Sequence, residues 1–109
     1  MQTARIERTI LSNLLNNEEY VRKVMPFLKS EYFHDNSEKL LYDTISSYVS
    51  KYNKLPSSEA VVIDLNEKHN IPEPEFKQAV EILNTLNTES ADFSWLTDTT
   101  EKFCQDKAI

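Results

Sequence analysis

Apolar residues recur along most of the chain at spacings of three and four, the period of an α-helix that buries one face. The face of a first helix, in residues 4–15, is made of Ile6, Ile10, Leu11, Leu14 and Leu15. Asn16 is the predicted cap of a second helix, and Pro26 marks a kink or a break within it. The apolar positions of this second helix are Val21, Val24, Met25 and Leu28.

Residues 31–45, EYFHDNSEKLLYDTI, contain the start of a third helix. Asp35 and Glu38 stand in the register of a capping box, which predicts a helix from there to about residue 52. We expect Tyr32 and Phe33, just before this cap, to fill the core. The turn at residues 52–56 then leads to Ser57 or Ser58 as the cap of a fourth helix.

The second half of the chain predicts the rest of this fourth helix and two more helices. Residues 61–63 are β-branched and would suit a strand, but the polar residues around them favour a helix. Helices over about 74–87 and 91–109 follow, joined by a short polar link in which Ser90 is the predicted cap. The pattern therefore predicts an all-α fold, a compact bundle of about six helices. Residues 1–70 form its globular part, and residues 74–109 form a terminal antiparallel hairpin.

The chain has 109 residues and no glycine. This length fits one domain. Walker A loops and Rossmann fingerprints are defined by glycines that let the backbone approach phosphates. The composition therefore excludes both motifs from this chain and argues against a sheet of tight hairpins.

The net charge of −6 is unevenly distributed. Residues 1–30 hold five basic and three acidic residues, and the rest hold seven basic against fifteen acidic, a net of −8. A surface this acidic repels a phosphate backbone, which argues against tight DNA binding by the chain alone. The candidate DNA-facing residues are the basic ones near the N-terminus, Arg5, Arg8, Arg22 and Lys23.

Candidate catalytic and metal-binding residues are few. The only histidines, His34 and His69, are far apart and lack zinc-binding spacing. Cys104 is the single cysteine, lies on an apolar helical face and excludes an internal disulfide. No signal peptide or membrane span is apparent, so we expect a cytoplasmic protein. Because no arrangement of nucleophile, base or metal ligands is apparent either, we expect that this chain is not an enzyme in itself. Asp35 and Glu38 are interpreted as capping groups and His34 as a bystander.

Large apolar side chains are concentrated in the predicted hairpin. A small helical domain buries only some of them, and aromatic residues are favoured interface anchors. Each of these residues has two interpretations, core or protein interface. The candidate interface residues are Phe76, Val80, Leu83, Leu86, Trp95, Leu96 and Phe103.

The order of several short motifs resembles the N-terminal domain of DnaB-like hexameric replicative helicases. These motifs are ERTILS at 7–12, FLKSEYF at 27–33, KLLYDTI at 39–45 and LPS at 55–57. Within that family, three further features are similar to the primase-associated helicases of T-even-type phages. They are Met25-Pro26 with SEYF at 30–33, Tyr52 followed by Pro56-Ser57, and SWL at 94–96 followed by TEK at 100–102. The resemblance covers nearly the whole chain, and its specificity lies in the order of the motifs.

The resemblance implies a non-catalytic collar domain in a six-membered ring around single-stranded DNA. It implies self-association and docking of primase and a helicase loader, in the host cytoplasm if the protein is encoded by a phage. ATP and Mg²⁺ would belong to a RecA-like domain of the parent protein. The last helix has no stop signal, so we expect it to continue into that parent.

Two alternatives to the helicase collar stay open at the level of sequence. One is a free-standing helical adaptor or regulatory protein that binds its partner without forming a ring. The other is a small helical DNA-binding protein that uses the basic residues near the N-terminus.

Overall fold

Every regular element of the structure is helical in the residues that the computed structural model describes, 2–68, 71–86 and 92–108, with side chains from Ile6 onwards. The elements are α1 (Gln2–Asn16), α2 (Glu18–Val24), a 3₁₀ turn (Ser30–Tyr32), α3 (Asn36–Tyr52), α4 (Ser58–Asn66), α5 (Glu73–Thr85) and α6 (Phe93–Lys107). The predicted fold class, all-α with about six helices, is confirmed. Residues 61–63 lie within α4, so the strand alternative does not hold.

Four of the helices begin at a short polar side chain, because the first backbone N–H groups of a helix lack acceptors within it. The capping side chains, each of which accepts a hydrogen bond from an N–H two or three residues ahead, belong to Asn17, Asp35, Ser57 and Asp92. The predictions of Asp35 and Ser57 are confirmed. Asn16 was predicted one residue too early, since its amide donates instead to the Ser12 carbonyl at 2.7 Å, inside α1. The predicted cap Ser90 lies outside the described residues.

The helix ends follow from proline and asparagine. The second helix ends at Val24, two residues before Pro26, because a proline cannot donate the next hydrogen bond. The long helix α3 ends at Tyr52 and is followed by its cap Asn53, which adopts the left-handed conformation with φ 56° and ψ 33°. Asparagine is the residue that tolerates this conformation best after glycine, which the chain lacks.

A single apolar core connects all the helices. The 3₁₀ turn delivers Tyr32 and Phe33 into it at 6% and 1% exposure, as predicted. The Phe33 ring stacks on Tyr42 of α3 with 5.3 Å between ring centroids. The largest apolar side chains that are completely buried belong to Ile10, Leu11, Leu14, Tyr20, Phe33, Leu41, Ile45, Leu65 and Leu96.

The last two helices both pack on the globular part of the domain. Helix α5 makes its main contacts with α3 and α4, whereas α6 makes its main contacts with α2 and α1. The link between α5 and α6 lies outside the described residues, so the predicted terminal hairpin over 74–109 stays a prediction.

Candidate functional site

Three of the seven candidate interface residues are core residues in the structure. Leu83, Leu96 and Phe103 are exposed by only 4%, 1% and 5%. The Phe103 ring packs between Tyr32 and Phe33, at centroid distances of 6.5 and 6.0 Å. Of the two interpretations that the sequence left open, the structure places these three side chains in the core.

The other four candidates retain exposed surface to different degrees. Phe76, Val80 and Leu86 are half-buried, and Phe76 and Leu86 pack on the edge of the core. Trp95 is 53% exposed on α6. Tryptophan carries a large apolar area and is one of the residue types that are enriched at protein interfaces. Trp95 is therefore the member of the predicted interface that the structure leaves most available.

A second exposed aromatic residue, Phe27, was not among the sequence candidates. It is 63% exposed and lies just after α2, next to Pro26. It borders an opening of about 180 Å³ between α2 and α6. We call this opening the α2–α6 groove; its lining residues are Lys23, Val24, Phe27, Thr97, Asp98, Thr100, Glu101 and Cys104. An aromatic residue directly after a helix-ending proline was the signal for it in the sequence.

A buried charged cluster lies where α1 packs against α3, and the sequence did not predict it. Glu7 and Glu38 are exposed by 1% and 3%. The Arg8 Nε donates to Glu38 Oε2 at 2.7 Å, and the backbone N–H of His34 donates to Glu7 Oε1 at 2.9 Å. Glu38 was predicted as a capping group; the structure instead turns its carboxyl toward α1, while Asp35 alone makes the cap bond to the Ser37 N–H.

The pKa of the Glu38 carboxyl is raised to about 7. Burial is the largest cause, an interaction with the Glu7 carboxyl also raises the pKa, and the Arg8 guanidinium lowers it. A carboxylic acid with such a pKa can serve as a general acid in an enzyme. Here the carboxyl is enclosed between two helices rather than directed into a cleft, so its surroundings indicate a structural role.

The remaining candidates for chemistry have unremarkable surroundings. His34 is exposed and contributes only its backbone N–H to the cluster. Cys104 is buried, and burial raises the pKa of its thiol, which disfavours the nucleophilic thiolate. His69 lies outside the described residues. Across residues 2–68, 71–86 and 92–108, no group of three or more His, Cys, Asp or Glu side chains is arranged to hold a metal ion. None of the helices in these ranges is both long and apolar enough to span a bilayer.

Comparison with known proteins decides the family. Residues 1–93 match the family described as the DnaB-like helicase N-terminal domain. The chain belongs to this family. Over 100 residues it is also 34% identical to the DnaB-like replicative helicase of Enterobacteria phage T4. That match covers 92% of this chain and 21% of the relative, so the chain spans about a fifth of the relative's length.

The family assignment confirms the resemblance noted from the ordered motifs. The four motifs of this DnaB-like N-terminal domain now have a structural place. Residues 7–12 lie in α1, residues 27–33 include the 3₁₀ turn, residues 39–45 lie in α3, and residues 55–57 end at the cap of α4. The match is to the N-terminal domain, the non-catalytic part of these helicases. Core packing and capping explain most of the motif residues, since Ile10, Leu11, Tyr32, Phe33 and Leu41 are all buried.

The candidate DNA-facing residues of this DnaB-like domain have different surroundings, for the three whose side chains the structure describes. Arg8 is bound to Glu38 at the α1–α3 contact. Arg22 is bound to Glu18 of its own helix at 2.6 Å, and Lys23 lines the α2–α6 groove. The side chain of Arg5 lies outside the described residues. Two of these four cations are therefore already paired with carboxylates, which weakens the interpretation of the set as a DNA-facing patch.

Proposed function

We propose that this chain is the N-terminal assembly and docking domain of a larger replicative DNA helicase. The observation that carries this proposal is the 34% identity over 100 residues to a DnaB-like replicative helicase of which the chain spans only 21%. In the parent protein the domain supports formation of the helicase ring and presents a surface to primase and to a helicase loader. Single-stranded DNA passes through the whole ring.

The chemistry of unwinding belongs to the rest of the parent protein. This chain has no glycine, so it contains no P-loop, whose phosphate-binding turn requires glycines. ATP and Mg²⁺ are therefore bound by the parent's motor domain, in the cytoplasm of the cell in which replication occurs. The N-terminal domain contributes protein–protein contacts.

Two exposed aromatic residues support this role. Trp95 and Phe27 are 53% and 63% exposed, although both are residue types that normally lose most of their surface in a folded protein. Large exposed apolar side chains rimmed by polar residues are typical of interaction sites. We assign Trp95 as the anchor of a subunit or primase contact, with Phe27 as a second exposed aromatic side chain of the domain.

The test begins with the reading frame that contains the chain. We expect a GxxxxGK[ST] motif within a few hundred residues downstream of Ile109. The full reading frame is then expressed, and its mass is measured by light scattering, with and without primase. A free-standing adaptor would instead be monomeric and have no motor domain downstream; a stop codon directly after Ile109 would rule out the helicase assignment.

Trp95→Ser in the full protein should lower the fraction of protein in the ring or in the primase complex by about tenfold or more, as expected for a buried aromatic anchor. The matched control is Ile63→Ser, since Ile63 is 51% exposed on α4, a different helix. The control should assemble as the wild-type protein does. Equal assembly of all three proteins would remove Trp95 from the interface.

A further inference from the structure

If both of its carboxyls were ionised, the α1–α3 contact would contain one more negative charge than its cation can balance. Glu7 and Glu38 supply two carboxyls, both at least 97% buried, and Arg8 supplies one guanidinium. The Glu7 carboxyl binds the N–H of His34, four residues before Glu38, and Arg8, the residue after Glu7, binds the Glu38 carboxyl, so both carboxyls belong to the same contact. Two buried carboxylates in contact repel strongly, and removing an unbalanced charge from water is costly.

The hydrogen bonds of the cluster leave one acceptor without a donor. Glu7 Oε1 accepts from the His34 N–H and Glu38 Oε2 accepts from Arg8. Glu7 Oε2 is buried and has no hydrogen-bond partner among the side chains that the structure describes. Two carboxylates offer only acceptors to each other, so a hydrogen bond between them requires a proton.

We propose that Glu7 and Glu38 share one proton, which makes the packing of α1 against α3 a proton-dependent contact in this domain. The shared proton supplies the missing donor and leaves a single negative charge, which Arg8 neutralises. When the proton is lost, the two carboxylates face each other across the helix contact and α1 is held less firmly.

Among the side chains that the structure describes from Ile6 onwards, Arg8 is the one cation that binds either carboxyl, and the neighbouring His34 is exposed and binds Glu7 through its backbone N–H. On the α5 side, Lys77 lines the same opening as Arg8, but its ammonium is 3.9 Å from Glu73. Asp35, at the start of α3, accepts from Gln78 of α5 at 3.3 Å. The other charged residues of the surrounding elements are exposed or half-exposed; they are Glu18, Glu19, Arg22 and Lys23 on α2, Glu31 on the 3₁₀ turn, Lys39 and Asp43 on α3, Glu81 on α5, and Asp98, Glu101, Lys102, Asp106 and Lys107 on α6.

The direction of the pH dependence follows from the pKa of Glu38, which burial and Glu7 raise from 4.5 to about 7. The folded chain therefore holds a proton that the unfolded chain releases between these two values. This contribution to stability is complete below pH 4.5, declines as the pH rises, and is lost above about pH 7. Stability should fall with rising pH in the range where most small proteins are near their maximum.

Glu38→Gln tests the proposal by thermal unfolding of the full chain at pH 5 and at pH 8. Glutamine has the shape of the protonated acid, accepts from Arg8 and donates to Glu7 Oε2 at any pH. The variant and the wild type should unfold within about 2 °C of each other at pH 5, and the variant should unfold on the order of 5 °C higher at pH 8. A constant difference at both pH values, or a less stable variant at pH 8, would overturn the proposal.

The matched control is Glu18→Gln, which removes the carboxylate of an exposed pair with Arg22. Its unfolding temperature should follow that of the wild type at both pH values. A direct measurement on the wild-type chain covers the case in which Glu38→Gln does not fold. In ¹³C NMR, the side-chain carboxyl carbon of Glu38 should titrate with a midpoint of about 7. Titration of every glutamate carboxyl below about pH 5.5 would refute the shared proton. The test measures only folding and protonation, so it is independent of the proposed function.

Discussion

The contact of α2 with α6 and the contact of α1 with α3 both bury polar groups, but they satisfy them differently. Between α2 and α6, the Tyr20 hydroxyl lies 2.6 Å from the Thr100 hydroxyl, and both residues are at most 1% exposed. Between α1 and α3, two carboxyls and one guanidinium meet. The first contact is neutral, whereas the second depends on a charge balance.

The difference lies in what each group can donate. A hydroxyl both donates and accepts, so two hydroxyls complete each other, whereas two carboxylates do not. Burial also raises the pKa of Tyr20, which keeps its hydroxyl neutral throughout the pH range in which proteins are stable. The α2–α6 contact should therefore have the same strength at pH 5 and pH 8, while the α1–α3 contact should not.

The largest expected effect comes from placing a carboxylate in the apolar core beneath α6. Phe103→Asp removes a ring that packs on Tyr32 and Phe33 and introduces a carboxylate that has no arginine partner. We expect a loss of about 4 kcal/mol or more in the free energy of unfolding, from the lost packing and the buried charge. Circular dichroism should show a large loss of helix at 25 °C.

Trp95→Asp is the control for this change, because it makes the same charge change on the same helix. Trp95 is 53% exposed, so its replacement should alter the free energy of unfolding by only about 0.5 kcal/mol. If Phe103→Asp instead kept full helix content and lost only subunit association, Phe103 would be an interface residue after all.

An intermediate effect should follow from removing the cation of the charged contact. Arg8→Ala leaves Glu38 buried without its ion-pair partner. Breaking a fully buried pair costs about 3–5 kcal/mol. The Arg8 side chain is 44% exposed, so we expect a smaller loss, about 1–3 kcal/mol at pH 8. The loss should be smaller at pH 5, where Glu38 is protonated. Urea denaturation at the two pH values measures both.

Arg22→Ala is the matched control for Arg8→Ala. Arg22 also binds a glutamate, but both side chains are more than half exposed. Its loss should cost less than about 1 kcal/mol, as is usual for surface ion pairs. Equal losses in the two arginine variants, or a loss in Arg8→Ala that does not change with pH, would contradict the distinction between the contacts.

The smallest of the three effects concerns the hydroxyl pair. Tyr20→Phe keeps the packed ring but removes the partner of the Thr100 hydroxyl. We expect a loss of about 1–2 kcal/mol, equal at pH 5 and pH 8, because a buried polar group is left with fewer partners. Tyr52→Phe, at a position that is 52% exposed, should be nearly neutral. A Tyr20→Phe loss that grows with pH would show that the α2–α6 contact is not neutral.

The helices could be predicted from the sequence because their signals are local. The caps Asp35 and Ser57 are next to the residues that they serve, and the period of apolar positions is contained in each helix. The burial of Tyr32 and Phe33 followed from aromatic residues placed directly before a cap. These patterns act over three or four residues, so they locate the helices without knowledge of the fold, although the cap of α2 is Asn17 rather than the predicted Asn16.

The charged contact could not be predicted because its partners are distant in sequence. Glu38 is 30 residues from Arg8, and its position three residues after Asp35 is equally typical of a capping box. The decision between these roles depends on how α1 packs on α3. The same limit applies to Leu83, Leu96 and Phe103, since an apolar face looks alike whether its own domain or a partner protein covers it.

The absence of glycine has a consequence for the unfolded chain. Even the left-handed turn after α3 uses an asparagine, Asn53, which is the one residue with positive φ among the described residues, and no glycine occurs anywhere in the 109 residues. A chain without glycine samples fewer backbone conformations when it is unfolded, so it loses less conformational entropy on folding than a chain of average composition. That smaller entropic cost gives a small domain a margin of stability against an unfavourable buried charge.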